Sequence, residues 1–213
     1  MEKEAQQRLE RGLEQINVSL DEKQIRQLMQ YLFALYKWNN TYNLTAIRDL
    51  MEMVDRHLLD SLVVWPFLKL EKIDSLADVG TGAGLPGIPL AIVEPRWRVT
   101  LIDSNSKKTG FLKHAQLITG LENVNVVTGR VEQQNETVDA VISRAFASLN
   151  EMATLTESIQ KPDTVLWAMK GKFPEQELPE LAKPYRVCAS HQLTVPGTEG
   201  ERHLLKITKS TKP

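Results

Sequence analysis

The stretch Asp78-Val79-Gly80-Thr81-Gly82-Ala83-Gly84-Leu85-Pro86-Gly87 holds the residue types and spacing most able to do chemistry in this chain. Glycines at such density let a backbone turn sharply and approach a ligand closely. A helix starting directly after them points its positive end at the same place. Gly82, Gly84 and Gly87 satisfy G-x-G-x-x-G, and Asp103 follows at about the separation of a ribose-binding acid in dinucleotide-binding folds. Asp78 is a second acid, immediately before the glycines, from which a pyrophosphate would gain nothing. Two separated acids suit a different ligand, with a cationic ammonium near Asp78 and ribose hydroxyls donating to Asp103. A glycine turn with no ligand is the remaining alternative.

The surrounding pattern supplies elements that can position these residues. Residues 1 to 70 read as helical. Leu9, Leu13 and Ile16 mark one face of a first helix. Ile25, Leu28, Leu32, Leu35 and Tyr36 mark a second, entered at Asp21-Glu22 and ending near Trp38-Asn39-Asn40. Leu50, Val54, Leu58, Leu62 and Trp65 mark a third, which Pro66 is expected to stop. From residue 71 onward the pattern alternates. Strands are expected at 76–79, 99–103, 124–127, 138–143 and 164–169, with helices at 86–93, 107–118 and 148–159, the second closed by Gly120. That alternation implies a parallel sheet with right-handed crossovers. The tail, 185–195 and 203–208, has two strand-like runs joined by Pro196-Gly197-Thr198-Glu199-Gly200, hence an antiparallel hairpin. The expected unit is α/β, with a seven-stranded, mostly parallel sheet. Residues 1–70 form its helical extension and 71–213 its main domain, the whole being compact.

With 213 residues, 42% hydrophobic and 25% charged, the composition is that of an ordinary globular chain. No apolar run approaches the roughly 20 residues of a membrane helix, and Met1-Glu2-Lys3-Glu4 lacks the apolar core of a secretory signal. A single cysteine, Cys188, excludes an internal disulfide and fits a reducing cytoplasm; its place in a tail strand reads as a small core residue. The net charge of −1 lacks the basic excess of most nucleic-acid binders, so any RNA contact must come from a local patch. His57, His114, His191 and His203 are scattered, and no metal-ligand cluster is visible. A monomer is the default expectation.

A parallel sheet finished by an antiparallel hairpin resembles the class I S-adenosylmethionine-dependent methyltransferase fold, a Rossmann-like architecture. The loop from Asp78 resembles that fold's (E/D)-V-G-x-G-x-G motif, which makes S-adenosylmethionine the expected cofactor. Gly82→Asp is then expected to abolish cofactor binding through steric and charge conflict. Exocyclic amine methylation of bases usually uses an Asn/Asp-Pro-Pro-aromatic loop after the fourth strand, where this chain has Ser143-Arg144-Ala145-Phe146. Carbon-5 methylation of pyrimidines needs a cysteine nucleophile, and Cys188 has no partner motif. An acceptor needing no deprotonation, such as guanine N7, remains. It requires mainly in-line positioning, which can supply up to about 7–11 kcal/mol in favourable cases.

Several segments together are similar to the bacterial small-subunit ribosomal RNA methyltransferase G family, also called glucose-inhibited division protein B. They are Trp38-Asn39, 42–48 (YNLTAIR), 56–61 (RHLLDS), 78–90 (DVGTGAGLPGIPL), 142–147 (ISRAFA), Lys170-Gly171 and 201–203 (ERH). Ala83 stands where some relatives have proline. The resemblance implies methyl transfer to N7 of guanine 527 in 16S ribosomal RNA, presented as free RNA or as a small-subunit particle. It implies cofactor contacts at Gly80, Leu85, Val131, Glu132 and Arg144, beside Asp78, Gly82, Gly84 and Asp103 from the loop reading. No side chain is assigned as a catalytic acid or base. Arg144 is the positioning candidate, bracing either the cofactor carboxylate or an RNA phosphate. Candidate RNA contacts are Arg48, Arg56, His57, Lys107, Lys170, Lys172 and Arg202, and Tyr42 and Phe146 are candidates to stack on an extruded base.

Overall fold

A computed structural model describes residues 1–144 and 146–210; Ala145, in the middle of the Ser143–Phe146 segment, and residues 211–213 lie outside it. Two long helices open the chain, α1 (Glu2–Gln15) and α2 (Glu22–Tyr42). Asp21 caps α2 in a reciprocal box with Gln24. The helix runs two residues beyond Asn40 because Asn43 takes up the left-handed cap, φ 50°, and closes onto Asn39 O.

The third helical stretch differs from its expected form. It begins as α3 (Leu50–Met53), widens into a π turn over Val54–Leu59 and resumes as α4 (Asp60–Leu62). Pro66 does not stop it. It sits in the first turn of a further helix, α5 (Trp65–Leu68), where its missing N–H has no partner to lose. The π turn puts Asp55, His57 and, just beyond it, Asp60 into the interior.

The alternating half follows as β1 (Ser75–Val79), α6 (Gly87–Val93), β2 (Arg98–Asp103), α7 (Ser106–Thr119), β3 (Val124–Thr128), β4 (Val138–Ser143), α8 (Leu149–Leu155), β5 (Gln160–Lys170), β6 (Tyr185–Gln192) and β7 (His203–Lys209). The single helix expected over 148–159 ends at Leu155, with a separate 3-10 turn at Glu157–Ile159, and β5 begins four residues before 164. The sheet order is β3-β2-β1-β4-β5-β7-β6. The first five strands are parallel, and β7 joins β5 antiparallel, with β6 on the edge.

Both sheet faces are buried. Leu76, Ala140, Ile142, Val165 and Trp167 face one way, into a core shared with α1, α2, α6 and α7. Ala77, Val79, Val141, Leu166 and Ala168 face the other, against α8. This strict alternation on two covered faces is why these strands read as near-continuous apolar runs. The helices before β1 supply Leu9, Tyr31, Leu32 and Leu58 to the first core, alongside Ile88 and Phe111. Cys188, expected as a small core residue, is instead exposed. On the edge strand β6, Tyr185 and Val187 pack inward, and Cys188 follows Val187 at the point where the register with β7 slips, which leaves it outside the core.

From β1 the chain builds outward to β2 and β3, then returns past β1 to β4. The order therefore reverses between β1 and β4, and the crevice outside their carboxyl ends is where such sheets bind ligands.

Candidate active site

The loop after β1 is pinned from three sides. Gly80 and Thr81 donate their N–H groups to Ile102 O of β2 at 2.9 and 3.2 Å. The buried Tyr31 hydroxyl of α2 donates to Ala83 O at 2.7 Å. Asp78 holds the loop from below: its Oδ2 accepts from Thr81 Oγ1 at 2.6 Å and from Gly87 N at 2.8 Å. Gly87 is required by that approach, since a Cβ there would lie 2.2 Å from Leu101 Cδ2 and 2.7 Å from Asp78 Oδ2. Asp78 is wholly buried, and its Oδ1 has no hydrogen-bond partner among the described residues. Burial pushes its carboxyl up to about 6, against the opposing pull of Thr81, Gly87 and the Arg144 charge. Asp78 is thus a buried brace beneath the loop.

Asp103 ends β2 at the crevice. Its Oδ2 accepts from Gly82 N at 2.9 Å and its Oδ1 from Asn105 N at 2.8 Å, with Lys108 Nζ 3.9 Å away. Asn105 caps α7 and so fixes where the acid stands relative to that helix. Between the ends of β1, β2 and β3 opens a cavity of about 390 Å³. Ile102, Val131, Leu155 and Phe146 give it apolar walls, and Gly80, Asp103 and Glu132 stand at its rim. A larger hollow of about 520 Å³, between α1 and the start of α2, is lined by residues such as Leu13, Val18 and Ile25. None of its lining comes from the strand ends, so the smaller cavity is the one the chemistry surrounds.

The structure brings together at this cavity Gly80, Asp103, Val131 and Glu132 of the expected cofactor residues. Gly82 contributes through Asp103. Leu85 is 4% exposed and packs into the core, and Gly84 lies beneath the loop against Ile88 and Leu112. Arg144 follows β4 and pairs with buried Asp60 at 3.0 Å.

The expected RNA residues divide. Lys107 and Lys172 are exposed. Arg48 is exposed but donates to Asn39 O and Asn43 Oδ1, and exposed Arg56 bridges Glu52 at 2.6 Å. Lys170 holds Phe146 O, Ala147 O and Glu177, and Arg202 reaches Asp60 at 2.9 Å. His57 lies inside, with Nε2 on Thr45 Oγ1 and Nδ1 on Arg56 O, so its ring has no face for RNA. Burial and the Arg144 charge lower its pKa to about 4. Tyr42 is 46% exposed and its ring lies 5.1 Å from Trp38. Phe146 is half-buried in the cavity wall.

Three residues central to this arrangement escaped sequence reasoning: Tyr31, Thr81 and Asp60. Tyr31 hides among apolar residues on the inner face of α2. Asp60 had a readable signal, an acid inside the apolar run Leu58-Leu59-Asp60-Ser61-Leu62. Among the described residues no group of three or more His, Cys, Asp or Glu could hold a metal ion, and no helix is long and apolar enough to cross a membrane.

The sequence model of the rRNA small subunit methyltransferase G family matches residues 24–205. The chain belongs to that family. Curated relatives of the same description include one from Pseudomonas aeruginosa (strain LESB58), 48% identical over 204 residues, 95% of this chain and 94% of the relative. One from Marinobacter nauticus is 47% identical over 203 residues, 94% of each chain. Among solved structures, an O-methyltransferase from Bacillus cereus superposes with a TM-score of 0.62 at 15% identity, over 92% of this chain and 95% of that one. A ribosomal protein L11 methylase from Lactobacillus delbrueckii subsp. bulgaricus superposes at 0.54 with 14% identity, over 70% and 76%. Members of the family are methyltransferase enzymes, and the class I methyltransferase fold is the one observed.

Proposed function

We propose that this enzyme transfers a methyl group from S-adenosylmethionine to N7 of guanine 527 in 16S ribosomal RNA, by direct in-line attack without a general base. The observation that carries the reading is the family match through residues 24–205, which spans every element around the crevice. The cofactor fits the residues present. An apolar slot between Ile102, Val131 and Leu155 suits a purine, and Asp103 at its mouth suits ribose hydroxyls. A Cβ on Gly82 would meet nothing within 4 Å, so the loop has open space above it for a ligand.

When bound, the cofactor supplies an electrophilic methyl group. The chain's part is to hold and to orient. Gly80 and Gly82 keep the backbone low enough for close approach, with Asp78 and Tyr31 fixing the loop from beneath. Val131 and Glu132 read the purine ring and its amino edge. Arg144 holds an anionic group of one reactant. Guanine N7 carries a free lone pair at neutral pH, so what it needs is alignment and exclusion of water. Phe146 in the wall and the exposed Tyr42 at the end of α2 offer π-faces to an unstacked base. Arg48, Arg56, Lys107, Lys172 and Arg202 form the local basic surface for the RNA backbone; His57 and Lys170 are occupied within the protein. The enzyme acts in the cytoplasm, as a monomer.

The test uses 16S RNA and small subunits from cells lacking this enzyme. Incubation with the protein and labelled S-adenosylmethionine is expected to methylate one guanine, mapped by reverse transcription and mass spectrometry. Transfer to a protein or small molecule with none to 16S RNA overturns the acceptor. Tight binding of NAD with no binding of S-adenosylhomocysteine overturns the cofactor.

A further inference from the structure

Asp60 holds two arginines with one carboxylate. It opens α4, directly after the π turn, and is 5% exposed. Its Oδ2 accepts from Arg144 Nη1 at 3.0 Å, and its Oδ1 accepts from Arg202 Nε at 2.9 Å. Arg144 immediately follows β4, and Arg202 immediately precedes β7. One side chain therefore joins the helices before β1, the crevice end of a central parallel strand and the terminal hairpin.

The charges do not balance. Two guanidiniums against one carboxylate leave one positive charge within this trio, and beyond it the Arg144 charge acts on buried Asp78. Burying an acid is costly unless its lone pairs are satisfied, and both oxygens here are. The two arginine side chains remain open to solvent, at 29% and 25%, while the acid beneath them is at 7%. A pair built only for stability would need a single arginine. Here the carboxylate sits below, and the cationic groups are held above it.

The position of that excess charge is also set. Ser143, the residue before Arg144, donates from Oγ to Val79 O at 2.7 Å, and Val79 directly precedes Gly80. Arg144 therefore leaves β4 beside the glycine loop. Its charge is felt by Tyr31, His57 and Asp78, which stand behind that loop and on the π turn. Each guanidinium has five N–H donors in a rigid fork. Fixing one edge of the fork against Asp60 fixes the aim of the rest.

We propose that Asp60 is a positioning residue for methyl transfer: it aims Arg144 into the crevice and seats Arg202 beside it, so that the pair meets an oxyanion of the bound reactants as a preset fork. The proposal rests on reading the crevice as the methyl-transfer site. The oxyanion has two possible sources, the cofactor's carboxylate or an RNA phosphodiester. Positioning errors of about 1 Å can lower a rate by roughly a hundred-fold.

The experiment measures kcat, KM for RNA and for S-adenosylmethionine, the Kd of S-adenosylhomocysteine, and Tm, for wild type, D60N, R144Q and D60N/R144Q. D139N serves as the control, since it loosens an ion pair at the opposite end of the sheet. Assays run well below every Tm. D60N is expected to lower kcat/KM by about ten- to a hundred-fold, whereas D139N stays within about twofold of wild type at a comparable fall in Tm. Because Asp60 acts in part through Arg144, D60N in the R144Q background is expected to cost clearly less than it does in the wild type, the remainder being the release of Arg202. A carboxylate on the fork shows as weaker S-adenosylhomocysteine binding. A phosphodiester shows as a raised KM for RNA with cofactor binding unchanged. D60N activity within about twofold of wild type overturns the proposal, as does a D60N loss that multiplies in full with that of R144Q. If D60N does not fold, D60E, which keeps the charge and moves it by one methylene, decides by the same limits. If the wild type methylates no RNA, the acceptor reading fails separately; a five-fold or greater loss of S-adenosylhomocysteine affinity in D60N then supports Asp60, and an unchanged Kd overturns it.

Discussion

Asp78 carries a penalty that the protein accepts beneath its glycine loop. Its carboxyl is raised from an ordinary 3.8 to about 6, chiefly by burial. Below about pH 4 it is neutral in both folded and unfolded chains. Between about 4 and 6 the unfolded chain ionises first, so folding stability falls as pH rises, and above 6 the loss is constant at about 3 kcal/mol. Asp78→Asn removes the titration. Its amide oxygen can take over the bonds from Thr81 and Gly87, with the amide nitrogen where Oδ1 stands unpartnered. Thermal melts from pH 4 to 7 should therefore show D78N gaining on the wild type by several degrees as pH rises; a constant difference would show that the acid is not penalised. Gly82 calls for a different argument than its sequence suggested. It has φ +62°, and a Cβ would meet nothing within 4 Å. Gly82→Asp is thus opposed by backbone conformation and by charge, its carboxylate standing beside Asp103, which accepts the Gly82 N–H. A loss of S-adenosylhomocysteine affinity of at least about ten-fold by calorimetry, with Gly82→Ala losing less, is expected, since about 1.4 kcal/mol suffices. The glycines and both acids were legible because backbone demands leave few residue choices. That Asp78 faces inward was not, because spacing alone does not tell which side of a strand end meets solvent.

At the scale of elements, α2 does more than cover the sheet. Tyr31 reaches from it to Ala83 O, and Gln24 and Gln27 hold the far ends of α6 and α7 by Ile92 O, Val93 O and Thr119 O. The helix is therefore clamped at its start and presses on the loop at its middle. Tyr31→Phe keeps the ring and removes only the hydroxyl, leaving a buried carbonyl unsatisfied. The expected cost is about 1–3 kcal/mol of stability, read as a lowered denaturation midpoint, together with weaker S-adenosylhomocysteine binding as the loop loosens. An unchanged affinity would show that the remaining contacts fix the loop by themselves. Periodicity marked α2 and the parallel strands well, because each has one clear apolar repeat. It failed at residues 50–68, where a π turn shifts the helical register and turns Asp55 and His57 inward. The shift leaves no mark in a 3.6-residue pattern. Pro66 misled for a related reason, since proline ends one helix and begins another with equal ease.

At the scale of the whole molecule, a net charge of −1 has to be reconciled with a polyanionic substrate. Much of the basic content is internally paired: Arg56 with Glu52 and Lys170 with Glu177, while Arg144 and Arg202 share the single carboxylate of Asp60. Lys107, at the start of α7, and Lys172, after β5, are exposed and appear in none of these ion pairs. This division was not legible beforehand, because a lysine count does not reveal which acids fold beside which lysines. It predicts how RNA affinity responds to salt. Each phosphate contact contributes about −0.7 to −0.9 to the slope of log affinity against log salt. Lys107→Gln and Lys172→Gln should each weaken RNA binding and lower the magnitude of that slope by close to one contact. Arg56→Gln should lower it less, because Arg56 must leave Glu52 before it reaches a phosphate and the two changes partly cancel. Filter binding of 16S RNA or small subunits from about 50 to 200 mM salt measures all three. Equal slope changes for Arg56 and Lys107 would mean that the Glu52 bridge opens freely when RNA arrives, and that the basic surface is wider than the free protein shows.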